Sequence, residues 1–70
     1  MRSFKIRFKS TPIVVKCEVV EVDPDRGVLS TYTRGHELYH PPGETRMKGY
    51  ESFLSTDDWV KIAQLCDKQL

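Results

Sequence analysis

Phe4, Ile6 and Phe8 alternate with Lys5, Arg7 and Lys9 near the start of the chain. Successive Cβ atoms of a strand point to opposite sides of a sheet, so a period of two predicts a first strand with one buried face. Thr11-Pro12 ends this run, and the β-branched stretch 13–22 favours a second strand. Its alternation slips at Val19-Val20, so that either both faces are partly covered there or a bulge shifts the register. Asp23-Pro24-Asp25-Arg26-Gly27 then reads as a turn, with proline presetting the first dihedral, aspartates able to cap amides and glycine free to take the left-handed position. The turn predicts a hairpin into a third strand, 28–34, with Asp23 facing Val28, Val22 facing Leu29, Val20 facing Thr31 and Val19 facing Tyr32.

From Gly35 to Gly49 apolar residues thin out and His40-Pro41-Pro42-Gly43 punctuates the chain, which predicts a long loop. Within and beyond it, 46–54 offers a short fourth strand with Met47 or Tyr50 turned inward. Ser55 and Asp58 spell a capping box, and Leu54 and Trp59 stand at the spacing of a hydrophobic staple, so a helix is predicted from residue 56. Trp59, Ile62, Ala63, Cys66 and Leu70 fall on one of its faces and Lys61, Gln64 and Lys68 on the other. Asp57 and Asp58 at its start and Lys68 at its end complement the helix dipole, and Asp57 is placed to pair with Lys61. The expected fold class is α+β: a small antiparallel sheet of three to four strands, with one C-terminal amphipathic helix packed on one face, forming a single domain over 1–70.

Composition narrows what such a domain does. Seventy residues bury only about 60% of the unfolded chain's surface, which leaves little room for a deep water-excluding cleft. Hydrophobic residues at 39% suffice for a core and argue against disorder. The net charge of +1 hides polarity along the chain: 1–16 carry Arg2, Lys5, Arg7, Lys9 and Lys16 with no acid, whereas 17–26 carry Glu18, Glu21, Asp23 and Asp25 against Arg26. Cys17 and Cys66 make no disulfide framework or C-x-x-C pair and read as small buried hydrophobes. Basic residues interrupt the N-terminus before any apolar run of signal-peptide length, and nothing approaches membrane-spanning length, so a reduced cytoplasmic setting without membrane attachment is expected.

One string carries recognisable chemistry. His36-Glu37-Leu38-Tyr39-His40 spells H-E-x-x-H, which on a helix sets two zinc ligands one turn apart beside a glutamate base. Gly35 directly before it and Pro41-Pro42-Gly43 directly after leave no room for that helix, since each proline drives its predecessor toward extended backbone. Zinc hydrolysis through His36, Glu37 and His40 is therefore not expected, and neither is any other enzyme activity or cofactor. A structural zinc on His36 and His40 with Cys17 or Cys66 is chemically admissible, but no paired spacing announces it. Cys66, expected on the core face, would be too shielded to act as a nucleophile. The glycines form no phosphate-cradling pattern.

What remains is binding. Tyr32, Arg34, Tyr39, His40, Arg46 and Tyr50 are of the types enriched at interface hot spots, and the first or third strand could offer an edge for pairing. A non-catalytic protein acting by contact with another protein is the expectation: an inhibitor, adaptor or small subunit, accessory proteins of the phage type among them by analogy of size. A second copy of the chain is also an admissible partner. The alternative is a nucleic-acid-binding module using Lys5, Arg7 and Lys9 with stacking tyrosines, against which stands a pI near 7.8.

Overall fold

The structure, a computed structural model, describes residues 1–21 and 31–70. Four strands, β1 (Arg2–Phe8), β2 (Thr11–Glu21), β3 (Thr31–His40) and β4 (Thr45–Arg46), pair antiparallel in chain order. Two helices follow, α1 (Lys48–Ser52) and α2 (Thr56–Asp67). The fold is α+β, with a four-stranded antiparallel sheet and the last helix near the C-terminus.

Phe4, Ile6 and Phe8 face inward from β1, Ile13, Val15 and Cys17 from β2, and Leu38 from β3. α2 closes this face with Ile62 and Cys66, both fully buried, while Trp59, Leu65 and Leu54 pack around them. The capping box at its start is present as read: Ser55 Oγ accepts from the Asp58 amide at 3.2 Å, and the Asp58 carboxylate accepts from the Ser55 amide at 3.1 Å. Two details of this helix differ from expectation. Asp58 pairs with Lys9 of the β1–β2 turn at 3.2 Å, and among the described residues Lys61 is in no ion pair. Lys68 is the C-cap itself, and Leu70 lies beyond the helix and is exposed.

β2 alternates without a slip: Val19 packs on the core and Val20 turns to the other side, so both sheet faces carry apolar residues here. The irregularity lies across from it, on β3. Val14, Val15 and Lys16 pair with Tyr39, Leu38 and Glu37, but Glu18 pairs with Arg34, so that Cys17 stands opposite two residues, Gly35 and His36. Gly35 has φ +66, the left-handed conformation of a G1-type bulge, which glycine adopts without steric cost. On the turn side of the bulge the pairing differs from the expected hairpin register by one residue, since Val20 faces Tyr32 and Val19 faces Thr33. Thr33 is fixed inward because its amide and hydroxyl both donate to Asp67 of α2, at 2.8 and 2.7 Å. The expected turn at 23–27 and the Val22–Leu29 and Asp23–Val28 pairs lie outside the described residues.

The long loop expected from 35 to 49 is in fact ordered strand, turn and helix. β3 runs on to His40 because Leu38 is fully buried while Glu37 and Tyr39 find partners on the opposite face. A tight turn at 41–44 follows, closed by the Gly43 amide on the His40 carbonyl at 2.7 Å. In place of a fourth strand over 46–54, β4 lasts two residues, Met47 turns into the core as expected, and α1 begins. Tyr50 packs against the core from α1. Among the described residues no helix is long and apolar enough to cross a membrane.

Candidate functional site on the open face of the sheet

The side of the sheet away from α2 collects most of the sequence-predicted contact residues. One row crosses all four strands, with Lys5 beside Val14, Val14 beside Tyr39 and Tyr39 beside Arg46. Arg7 lies beside Pro12, Lys16 beside Glu37, Arg34 beside Glu18, and Tyr32 beside Val20 on the same side. Strand alternation explains this: the residues that interrupt the apolar positions of β1, β2 and β3 are driven together by the burial of those positions. The residues expected to contact protein (Tyr32, Arg34, Tyr39, Arg46) and two of those expected to contact nucleic acid (Lys5, Arg7) thus share one surface. Lys9, Tyr50 and His40 are not part of it: Lys9 is turned to Asp58, Tyr50 lies against the core, and His40 is exposed at the end of β3.

A charge network organises one half of this face. Arg46 donates to Glu51 of α1 at 2.7 and 3.0 Å and to Glu37 at 3.1 Å, and the Tyr39 hydroxyl donates to Glu37 at 2.9 Å. Lys16 Nζ sits 4.3 Å from the centre of the Tyr39 ring, close enough for a cation–π contact. Glu51 also accepts from the Leu38 amide at 3.2 Å, at the point where β4 is too short to pair with it. Arg46 holds the Glu51 carboxyl below the usual carboxylate range, with the Leu38 amide adding to the effect. The hydrogen bond to Glu37 pushes the Tyr39 phenol above its ordinary value. Tyr39 and Arg46 are therefore tied into the joint between β3, β4 and α1 and are not free loop side chains. The sequence reading missed Lys16, Glu37 and Glu51 in this network, and only the H-E-x-x-H string drew attention to Glu37.

The other half is apolar and unpaired. The Pro41-Pro42-Gly43 turn folds back over β2, and the Gly43 backbone approaches Val14 so closely that a Cβ there would stand 3.1 Å from Val14 Cγ1. Val14 is thereby buried although it faces away from α2. Beside it lies a hollow of about 500 Å³ bordered by Pro12, Val14, Pro41, Pro42 and Lys5. Neither Lys5 nor Arg7 is in an ion pair among the described residues. The hollow was not legible in advance, because its walls come from separate turns that only the sheet register brings together.

His36 and His40 do not form a site. Four residues apart on a strand they are separated by roughly 13 Å along the chain, out of reach of one ion. His36 instead turns inward beside Cys17 and Cys66. Its Nε2 lies 2.7 Å from the Thr33 hydroxyl, and burial lowers its pKa against the pull of Asp67. Burial likewise raises Cys17 and pushes the Cys66 thiol up to about 12. Comparison with protein-family models, curated proteins and solved structures finds no match.

Proposed function

We propose that this protein is a non-catalytic binding module that seats an acidic segment of another protein on the open face of its sheet. The observation that carries the reading is the open apolar hollow floored by Val14 and walled by Pro12, Pro41 and Pro42, with Lys5 at its border, Arg7 beside Pro12, and no acid engaging either cation among the described residues. An apolar side chain of a partner would fill the hollow while its carboxylates meet the cations. The walls are stiff: two prolines and a turn packed on Val14 lose little freedom when a ligand docks. The alternative, nucleic acid on the same face, is disfavoured by its chemistry. Glu18 and Glu37 lie on this surface, and Tyr39, the aromatic in its central row, has Lys16 over its ring and its hydroxyl on Glu37.

The test is capture of partners from the native host by immobilised protein, with and without nuclease, comparing wild type with Lys5→Glu combined with Arg7→Glu. A partner retained after nuclease and lost with the double variant supports the proposal. Nuclease-sensitive capture, or submicromolar DNA or RNA binding with a steep salt slope, assigns the face to nucleic acid instead.

A further inference from the structure

Three elements distant in sequence bring soft metal donors to one point in the core. Cys17 comes from β2, His36 from β3 and Cys66 from the last turn of α2, and one donor atom of each lies within 4.8 Å of the others. The β3 bulge makes this convergence: it places Cys17 opposite Gly35 and His36, and lets Thr33 and His36, three residues apart, face the same side. We propose that Cys17, Cys66 and His36 form a binding site for a zinc-like divalent metal ion.

The tautomer of His36 follows from its neighbours. The Thr33 hydroxyl has one proton, and the Asp67 carboxylate oxygen 2.7 Å away accepts it. The His36 Nε2 atom, 2.7 Å from the same hydroxyl, must then donate to it. Nε2 carries the ring proton, and Nδ1 keeps the lone pair that a metal needs. This Asp67–Thr33–His36 chain does what outer partners do for ligating histidines elsewhere, fixing tautomer and orientation and raising the basicity of the donor nitrogen. Two cysteines serving only as small hydrophobes need no such arrangement beside them.

The dimensions fit. With Zn–S about 2.3 Å and Zn–N about 2.0–2.1 Å, tetrahedral donors stand roughly 3.4–3.8 Å apart, so the cluster needs to close by about 1 Å. Charge balances as well. Each thiol loses its proton to solvent as its sulfur binds, so two thiolates neutralise a divalent ion and the neutral imidazole adds none, which suits a buried centre. Three protein ligands leave a fourth position for water. A disulfide between the cysteines is the competing fate, but it would give the oriented Nδ1 no role.

Cobalt(II) is the probe. Apoprotein prepared with chelator and reductant is titrated anaerobically and should bind a single equivalent, with the thiolate-to-cobalt charge-transfer band and the intense visible bands of tetrahedral cobalt; zinc should displace it. His36→Ala should weaken binding at least tenfold, and Thr33→Val by about 10–100-fold, the range for outer partners of a ligand. Cys17→Ser or Cys66→Ser leaves one thiolate and should weaken binding and reduce the charge-transfer intensity per bound cobalt to about half, and the double variant should abolish the band. Where a cysteine variant does not fold by circular dichroism, His36→Ala at its half-buried position decides the matter. No spectral change in wild type with both thiols reduced, or binding that survives His36→Ala unchanged, overturns the proposal.

Discussion

The two faces of the sheet are built from the same strands yet are held by different forces. The face under α2 is almost wholly apolar, with Ile13, Leu38, Ile62, Val15, Cys17 and Cys66 fully buried, and its stability comes from area removed from water. The open face is held by charge: Arg46 between Glu37 and Glu51, Lys16 over Tyr39, and Arg34 on Glu18. Hydrophobic burial is non-directional and deletions in it are costly, whereas a well-exposed pair such as Arg34–Glu18 is weak, salt-sensitive and replaceable. Away from the Arg46 joint, where the open face carries such exposed pairs or the unpaired Lys5 and Arg7, its side chains are free to be specialised for contact without endangering the fold.

The sharpest way to break the comparison is to attack the covered face. Ile62→Ala or Leu38→Ala removes a fully buried side chain and should cost about 2–5 kcal/mol, enough to unfold much of a domain this small. Urea titration followed by circular dichroism measures it. A loss below about 1 kcal/mol would mean that the helix-covered core does not dominate stability.

The second largest effect is expected at the bulge. Gly35 sits at φ +66 with nothing within 4 Å of where a Cβ would be, so any penalty there comes from backbone conformation alone. Gly35→Val should destabilise by about 1–3 kcal/mol, and Gly35→Asn, which tolerates the left-handed region, by clearly less. Because the bulge sets the inward side of Thr33 and His36, Gly35→Val should also disturb these two on the covered side more than Tyr39 on the open side. Amide chemical shifts on the two sides of the bulge would show this.

How much of this was legible in the sequence follows the same division. The period-two run of Phe4, Ile6 and Phe8, the capping box of Ser55 and Asp58, and the inward face of α2 all follow from where apolar residues must go, and they were readable. β3 was not. Its outward positions are Arg34, Glu37 and Tyr39, whose polarity mimics a loop, and only their cross-strand partners reveal a strand. The hairpin register differed by one residue between Glu18 and Glu21, and beyond it a glycine bulge shifts which residues of 36–40 face inward without changing composition. Tyr32, Arg34, Tyr39 and Arg46, singled out as contact residues, did gather on one face, while Tyr50 and His40 did not, and Arg46 and Tyr39 are tied into joints of the molecule. The hollow beside Val14 and the Cys17–His36–Cys66 cluster depend on distances between elements, which spacing along the chain does not encode.

A smaller effect, about 1–2 kcal/mol at neutral pH, is expected for Glu51→Gln, which removes the charge that Arg46 and the Leu38 amide engage. The folded protein lowers the Glu51 pKa, so the unfolded chain binds more protons in mild acid. Stability from this group is therefore fully present above the ordinary glutamate pKa of about 4.3 and is lost as pH falls through the depressed folded value. Wild type and Glu51→Gln should differ at pH 7 and converge in acid. Denaturation midpoints at a series of pH values test it, and a difference that grows in acid would contradict the network.

The smallest expected effect on stability belongs to the far end of the open face, and it locates the contact surface. Arg34 and Glu18 form an ion pair in which both side chains are more than half exposed, 63% and 58%, and Tyr32 beside it is also exposed. Such a pair gains little from attraction in water and loses side-chain freedom, so Arg34→Ala should shift stability by less than about 0.5 kcal/mol. Its effect on partner capture separates two versions of the open face. If binding centres on the hollow at Pro12, Val14 and Pro42, then Arg34→Ala with Tyr32→Ala should leave capture within a few-fold of wild type, while Lys5→Glu with Arg7→Glu abolishes it. Rim residues surround a hot spot and exclude water without carrying much energy, which is the behaviour expected of the Arg34 end. Equal losses from both pairs would spread the interface across the whole sheet, and a loss from the Arg34 pair alone would move it away from the hollow, toward the end of β2 and the start of β3.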